Sequence, residues 1–293
     1  MVVEQIGILH PGDMGISIAA SAQNSGHTVY WASAGRSAAT QRRAAKFELR
    51  DAQTLAQLCA ECSIIVSVCP PDAAETVAEQ VIDHGYQGIY LDANAIAPQR
   101  AERIGQAMAT ANISFVDGGI IGGPAWQPGT TWLYLSGPQA ETAAACFAAG
   151  PLATQVIGET IGKASALKMC YAAYTKGTTA LLAAVVATAD QLDVGEELYQ
   201  QWAREEADAA KRNVQRVRGV TAKAWRFAGE MEEIAATFRA AGLPDGFHLA
   251  AADLYRRIAH FKDAAATPAI EEVLSALQHT HATESDATKT EDR

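Results

Sequence analysis

Ile6-Gly7-Ile8-Leu9-His10-Pro11-Gly12-Asp13-Met14-Gly15 is the stretch that decides the fold. An apolar run enters a glycine-containing turn, and a small-residue helix follows from Ile16 to Ala22. A strand, turn and helix in this order bring backbone N–H groups and the positive end of a helix dipole to a pyrophosphate. The dinucleotide fingerprint is G-x-G-x-x-G. Gly12 and Gly15 stand at its second and third glycines, and His10 replaces the first. The turn is therefore expected to present His10, Gly12, Asp13 and Met14 to a dinucleotide. His10 caps the turn or touches the diphosphate in this reading, and Pro11 holds the loop in place of the lost glycine.

Outward from this unit, strand-like and helix-like segments alternate. Strands are expected at Gln5–Leu9, Thr28–Ala32, Ile64–Cys69, Gly88–Asp92, Ser114–Gly118 and Thr131–Ser136, with helices between most of them at Met14–Ser25, Ala73–His84 and Arg100–Ala111. Such alternation implies a mostly parallel sheet covered on both faces. Past Gly150 the pattern turns helical, beginning with the long apolar Ile161–Leu192 and broken at Gly242-Leu243-Pro244-Asp245-Gly246. The expected class is α/β: a Rossmann-type domain at 1–157, an all-helical substrate and dimerisation domain at 158–279, and a disordered tail at 280–293.

The 293 residues and 49% hydrophobic content suffice for two cores. No apolar run reaches the ~20 residues that span a bilayer, and the start carries no basic leader. A formal charge of −10 argues against a nucleic-acid surface. Five cysteines, an odd number without an export signal, read as reduced thiols of a cytoplasmic protein. Cys59-x-x-Cys62 has no second pair or nearby histidine to complete a zinc site, and His279-x-His281 lies in a polar tail, so no metal is expected.

The second strand ends in Ala32-Ser33-Ala34-Gly35-Arg36-Ser37. NAD sites place an acid about 20 residues past the glycines to bind the ribose 2′-hydroxyl. Here Ser33 and Arg36 stand instead, and a cation with hydroxyls suits a 2′-phosphate. NADP is the expected cofactor. Arg42 and Arg43 are expected on an exposed helix face.

Four later segments follow in order: Val66-Ser67-Val68-Cys69-Pro70-Pro71, Leu91-Asp92-Ala93-Asn94-Ala95-Ile96-Ala97-Pro98, Phe115-Val116-Asp117-Gly118-Gly119-Ile120-Ile121-Gly122-Gly123-Pro124, and Gly162-Lys163-Ala164-Ser165-Ala166-Leu167-Lys168-Met169. The series resembles the 6-phosphogluconate dehydrogenase and β-hydroxyacid dehydrogenase superfamily, which includes the imine reductases. The similarity runs from about Gln5 to Lys262. It implies a Rossmann domain plus a helical domain, and a homodimer whose sites are completed across the interface. Asp117-Gly118-Gly119-Ile120 and Leu133-Tyr134-Leu135-Ser136-Gly137 look like imine reductases, whereas the lysine looks like the hydroxyacid dehydrogenases.

By that resemblance Val68, Cys69, Pro70 and Asn94 line the cofactor, and Asp117, Gly119, Gly122 and Gly123 line the substrate. Lys168 lies early in a long apolar helix, where a charge is costly unless it faces a cleft. The family's matching lysine exchanges a proton with the substrate hydroxyl during hydride transfer. The family's asparagine one turn later is missing. Tyr171 and Ala172 stand at i+3 and i+4, so Tyr171 is expected to supply the polar group. Ile121 replaces a substrate-binding serine, and Glu230, Glu232 and Glu233 occupy a segment where many relatives carry a lysine; both changes favour a neutral or cationic substrate. Trp126 is expected either to wall the substrate pocket or to pack beneath the loop, and His248 either to cap or pack its helix or to reach the substrate as a second acid or base.

The expected activity is NADP-dependent hydride transfer to or from a small C–OH/C=O substrate. Two alternatives stay open at this point: imine reduction, and NADP binding without catalysis.

Overall fold

A computed structural model describes residues 3–279. The tail expected at 280–293, and His281 with it, lies outside the described residues. Two compact units divide between Tyr171 and Ala172.

The first unit runs β1 (Gln5–Ile8), α1 (Asp13–Asn24), β2 (Thr28–Trp31), α2 (Ala38–Lys46), β3 (Arg50–Asp51), α3 (Leu55–Glu61), β4 (Ile64–Ser67), α4 (Ala74–Asp83), β5 (Ile89–Asp92), α5 (Pro98–Thr110), β6 (Ser114–Gly122), β7 (Thr131–Ser136), α6 (Ala140–Ala145), β8 (Ala153–Val156) and the start of α7 (Lys163–Gln191). The sheet order is β3-β2-β1-β4-β5-β6-β7-β8. Pairing is parallel from β3 through β6, antiparallel between β6 and β7, and parallel again between β7 and β8. The order reverses between β1 and β4, which opens a crevice at the carboxyl ends of these strands.

Apolar residues on both sides of the central strands bury both faces of the sheet. Ile6 and Ile8 of β1 and Ile64 and Val66 of β4 pack with α1, α2 and α6 through Ile16, Ala44 and Ala143. Ile65 and Tyr90 pack with α3, α4 and α5 through Leu58, Val81 and Ile104 on the other face. Each buried Ile or Leu stabilises the fold by about 1.5–3 kcal/mol. Cys59 and Cys62 belong to this second layer as free thiols, and burial pushes them up to about 11 and about 12.

Four features depart from the sequence expectation. β3 and β8 are short additional strands with exposed or half-buried side chains, and so show no apolar alternation. β6 continues to Gly122 because its register with β7 runs from Asp117↔Ser136 to Gly122↔Thr131. The ladder overrides the poor strand propensity of its glycines. The units also divide inside α7 rather than at 157/158. The first turns of α7 are bonded to β6, with Ser165 N donating to Asp117 Oδ2 at 3.0 Å.

The second unit contains the remainder of α7, then α8 (Gly195–Glu205), α9 (Ala209–Ala240), α10 (Gly246–Arg257) and α11 (Ile270–Gln278). The chain breaks at Gly242, with φ +75°, between α9 and α10. Val217, Ala224, Met231 and Ile234 form the buried stripe of α9. Inside this unit Lys176 pairs with Glu230 at 2.8 Å, and Lys176 Nζ lies 4.8 Å from the Phe227 ring centre. Tyr255 Oη donates to Lys176 O at 2.8 Å.

Candidate active site

The turn after β1 is shaped by its two glycines. A Cβ at Gly15 would lie 2.1 Å from His10 O, so this position admits no side chain. A Cβ at Gly12 would meet nothing within 4 Å, which leaves its backbone open to an approaching group. Gly12 N donates to His10 O at 2.8 Å, and no side chain caps the start of α1. Helix N–H groups left without a local cap suit a diphosphate. His10 thus shapes the turn through its carbonyl. Its Nδ1 is buried without a partner, and burial beside Arg36 holds the imidazole neutral, down at about 4. Met14 is half-buried on the first turn of α1, and Asp13 is exposed.

Ser33 and Arg36 follow β2, both half-buried. Arg36 Nη2 donates to Leu9 O at 3.2 Å, while its Nε is buried without a partner. Ser37 is spent locally, accepting from Thr40 N at 3.3 Å as the cap of α2. Arg42 is exposed as expected, but Arg43 is not. It reaches back to the turn, with Nη2 3.0 Å from Asp13 Oδ1 and Nη1 donating to Pro11 O at 3.2 Å.

Val68, Cys69 and Pro70 leave the end of β4 at the crevice, the first two half-buried and Pro70 exposed. Burial keeps the Cys69 thiol protonated, up at about 12. Asn94 corrects the expectation of a direct ligand contact. It is buried, and its amide is consumed within the protein. Its Oδ1 accepts from Cys69 N at 2.5 Å, and its Nδ2 donates to Ser67 Oγ at 3.2 Å and Asp92 Oδ2 at 3.0 Å. Asn94 N donates to Asp92 Oδ1 at 2.9 Å. The asparagine therefore braces the ends of β4 and β5. Asp92 is fully enclosed, and burial with the nearby Asp117 charge raises its pKa to about 7 against the Asn94 bonds.

Lys168 is half-buried on the second turn of α7, and its Nζ donates to Ile120 O of β6 at 2.6 Å. Tyr171 lies one turn further and is 48% exposed. Gly119 lets the two elements meet: a Cβ there would stand 2.6 Å from Ala164 O and 3.1 Å from Lys168 Cβ. Gly119 is thus a packing position rather than a substrate contact. Asp117 is corrected likewise. It is 1% exposed, and its carboxylate accepts from Ser165 Oγ, Ser165 N and Ser136 Oγ. Ile121, on β6 opposite Trp132, is buried. Gly122, with φ +125°, and Gly123 are exposed at the strand end, and a Cβ at Gly123 would meet nothing.

Trp126 stacks on Phe47 at 5.3 Å and 21°, and the two line a cavity of about 720 Å³ together with Asp13 and Ile16 of α1 and Arg42 and Arg43 of α2. His248, in the second unit, is buried against Phe238 at 4.1 Å and Phe247 at 5.3 Å, and burial lowers its pKa. Packing against these two rings accounts for the place of His248. Among the glutamates, Glu230 pairs with Lys176, Glu232 pairs with Arg256 on the surface, and Glu233 is buried. Ser67, Asp92, Ser136 and Ser165 are the structural partners that motif reading did not single out. The sequence signal of Ser67, Asp92 and Ser136 is a polar residue closing an apolar strand, whereas Ser165 lies in the first turn of α7.

The first unit has the architecture of a dinucleotide-binding domain, with Lys168 held against the end of β6. The model described as the NAD binding domain of 6-phosphogluconate dehydrogenase matches residues 5–154, and the chain belongs to that family. Residues 189–258 match a domain of unknown function (DUF1932). A 28.5 kDa protein in the 7S RNA 5′ region of Methanothermus fervidus is 30% identical over 57% of this chain and 63% of its own length, so the match spans less than two thirds of that relative. The fold is shared with Mycobacterium tuberculosis 3-hydroxyisobutyrate dehydrogenase in complex with L-serine (TM-score 0.68, 16% identity, 95% of this chain and all of that one). It is also shared with a reductive aminase from Aspergillus terreus in complex with NADPH, cyclohexanone and allyl amine (TM-score 0.55, 16% identity, 94% and 99%).

Proposed function

We propose that the protein is an NADP-dependent oxidoreductase acting on a small C–OH/C=O substrate, with Lys168 as general acid and base. The observation that carries this reading is the Lys168 ammonium, held by Ile120 O of β6 at 2.6 Å, three residues before Gly123, where a Cβ would meet nothing. The dinucleotide fits the residues present. The open face of Gly12, the uncapped start of α1 and the orphaned His10 Nδ1 and Arg36 Nε all call for a polar, anionic partner. Gly12, Asp13 and Met14 would hold the diphosphate, Ser33 and Arg36 the 2′-phosphate, and Val68, Cys69 and Pro70 the ribose side. When bound, the nicotinamide supplies or accepts the hydride.

The chain's own residues do the rest. In reduction Lys168 Nζ gives its proton to the oxygen that gains charge, and in oxidation it takes the hydroxyl proton. Tyr171, on the same helix face, hydrogen-bonds and orients the substrate. The lost serine at Ile121 favours a neutral or cationic substrate over a carboxylate. A homodimer is part of the proposal. Tyr174, Leu181 and Val185 expose an apolar stripe of α7 at helical spacing, with Tyr174 73% exposed, and a second copy would cover it.

The test is nicotinamide fluorescence on titration with NADPH and NADH, followed by a carbonyl and imine screen of wild type and Lys168→Ala. Micromolar NADPH binding, weaker NADH binding and carbonyl turnover lost in Lys168→Ala support the reading. Imine turnover alone moves it to the reductases. Binding without turnover on any carbonyl or imine leaves a dinucleotide-binding protein only.

A further inference from the structure

α7 begins at Lys163, and the residue before it, Gly162, has no side chain with which to cap it. The N–H groups of Ala164 and Ser165, in the first turn, need acceptors from elsewhere. β6 and β7 supply them. Ser165 N donates to Asp117 Oδ2 at 3.0 Å, and Ser165 Oγ donates to Asp117 Oδ1 at 2.6 Å. Ala164 N donates to Ser136 Oγ at 3.0 Å, and that hydroxyl donates onward to Asp117 Oδ2 at 3.0 Å. One carboxylate, 1% exposed, thus caps a helix from a neighbouring strand. Its charge also faces the positive end of the helix dipole.

The same strand and helix meet again one turn on. Lys168 is three residues past Ser165, Ile120 is three past Asp117, and Lys168 Nζ bonds to Ile120 O at 2.6 Å. Between the two clamps the bare Gly119 lies against Ala164 O and Lys168 Cβ. The position of the ammonium is therefore set by how α7 is pinned at its first turn. We propose that Asp117 is the positioning residue for Lys168, acting through Ser165 and Ser136 and never touching the substrate. The proposal rests on reading Lys168 as the proton-transferring group. Burial raises the Asp117 pKa, and the hydrogen bonds from Ser165 and Ser136 oppose that rise.

The experiment follows Lys168 directly. Lysines are reductively methylated with a 13C label, and the Lys168 signal is assigned by its loss in Lys168→Arg. Ser165→Ala removes the 2.6 Å bond while leaving the carboxylate and the Ser165 N–H in place, and it serves where Asp117→Asn does not fold. In both variants the Lys168 signal is expected to move and its titration midpoint to shift by about half a pH unit, with the Lys176 signal unchanged. NADPH affinity stays within about twofold. With a turned-over carbonyl, kcat falls about tenfold at unchanged KM, the size expected for one lost hydrogen bond to a charged group. Asp117→Asn added to Lys168→Met lowers kcat little further. A Lys168 signal and kcat that stay at wild type while the melting temperature drops would overturn the proposal, leaving Asp117 as fold support. Full turnover in Lys168→Met, with a Lys168 signal that still responds to Ser165→Ala, defeats the acid/base reading and leaves the positioning intact.

Discussion

Gly119→Ala probes the β6–α7 contact on which the site depends. The added Cβ would stand 2.6 Å from Ala164 O and 3.1 Å from Lys168 Cβ, where ordinary contact begins at 3.4 Å. The obstructing atom at 2.6 Å is backbone, so no rotamer change relieves it. The first turn of α7 must retreat from β6 by about 0.8 Å. That retreat takes the Lys168 Nζ to Ile120 O bond from 2.6 Å to the edge of useful length. Overpacking of this kind costs about 1–3 kcal/mol. In a chain of this size each kcal/mol lowers the melting temperature by about 2–4 °C. A displacement near 1 Å at the reacting group costs up to about a hundredfold in turnover. NADPH binding should stay close to wild type, because the Gly12–Gly15 turn follows β1, three strands away in the sheet. Calorimetry, NADPH fluorescence and steady-state turnover of a carbonyl found in the screen measure the three quantities. A Gly119→Ala protein with wild-type kcat and melting temperature would refute the reasoning. Loss of NADPH affinity in parallel with turnover would mean that the whole sheet had been disturbed.

Three other perturbations have defined outcomes. Arg36→Ala should weaken NADPH about ten- to a hundredfold, the size of a lost charge-assisted bond, and leave NADH within about twofold; an equal loss for both by fluorescence titration contradicts the 2′-phosphate assignment. Asp92, raised to about 7 by burial, binds its proton more tightly folded than unfolded, so its contribution to stability declines as pH rises from about 4 to about 7. The melting temperature of Asp92→Asn should therefore gain on wild type across that window, and parallel pH profiles would rule the effect out. In the second unit, Glu230→Ala leaves Lys176 without its buried partner and should cost about 3–5 kcal/mol in denaturant unfolding. Replacing both, Lys176→Met with Glu230→Leu, should come out near neutral; a double variant as unstable as the single one would show that the pair is not the source of the loss.

Much of the fold was legible from local pattern. Thr131–Ser136 is a strand with the expected bounds, and the strand, turn and helix around Gly12 and Gly15 form where the motif places them. Apolar runs and turn residues act over a few positions, so they can be read along the chain. β3 and β8 were not legible, because their residues are polar or half-exposed and only pairing with β2 and β7 makes them strands.

The site divides along the same line. Lys168 on a helix, the missing acid after β2 and the bare glycines are local facts that the sequence by itself determines. Which way Asn94, Asp117, Trp126 and His248 turn was decided only by the tertiary structure. Asp117 meets Ser165 from 48 positions away, Asn94 meets Cys69 from 25, and Trp126 meets Phe47 across the β6–β7 connection. A polar side chain at a strand end can face a ligand or a neighbouring element equally well in one dimension. The choice is made by burial: once packing removes water, a carboxylate or amide must take whatever donors the adjoining strand and helix provide.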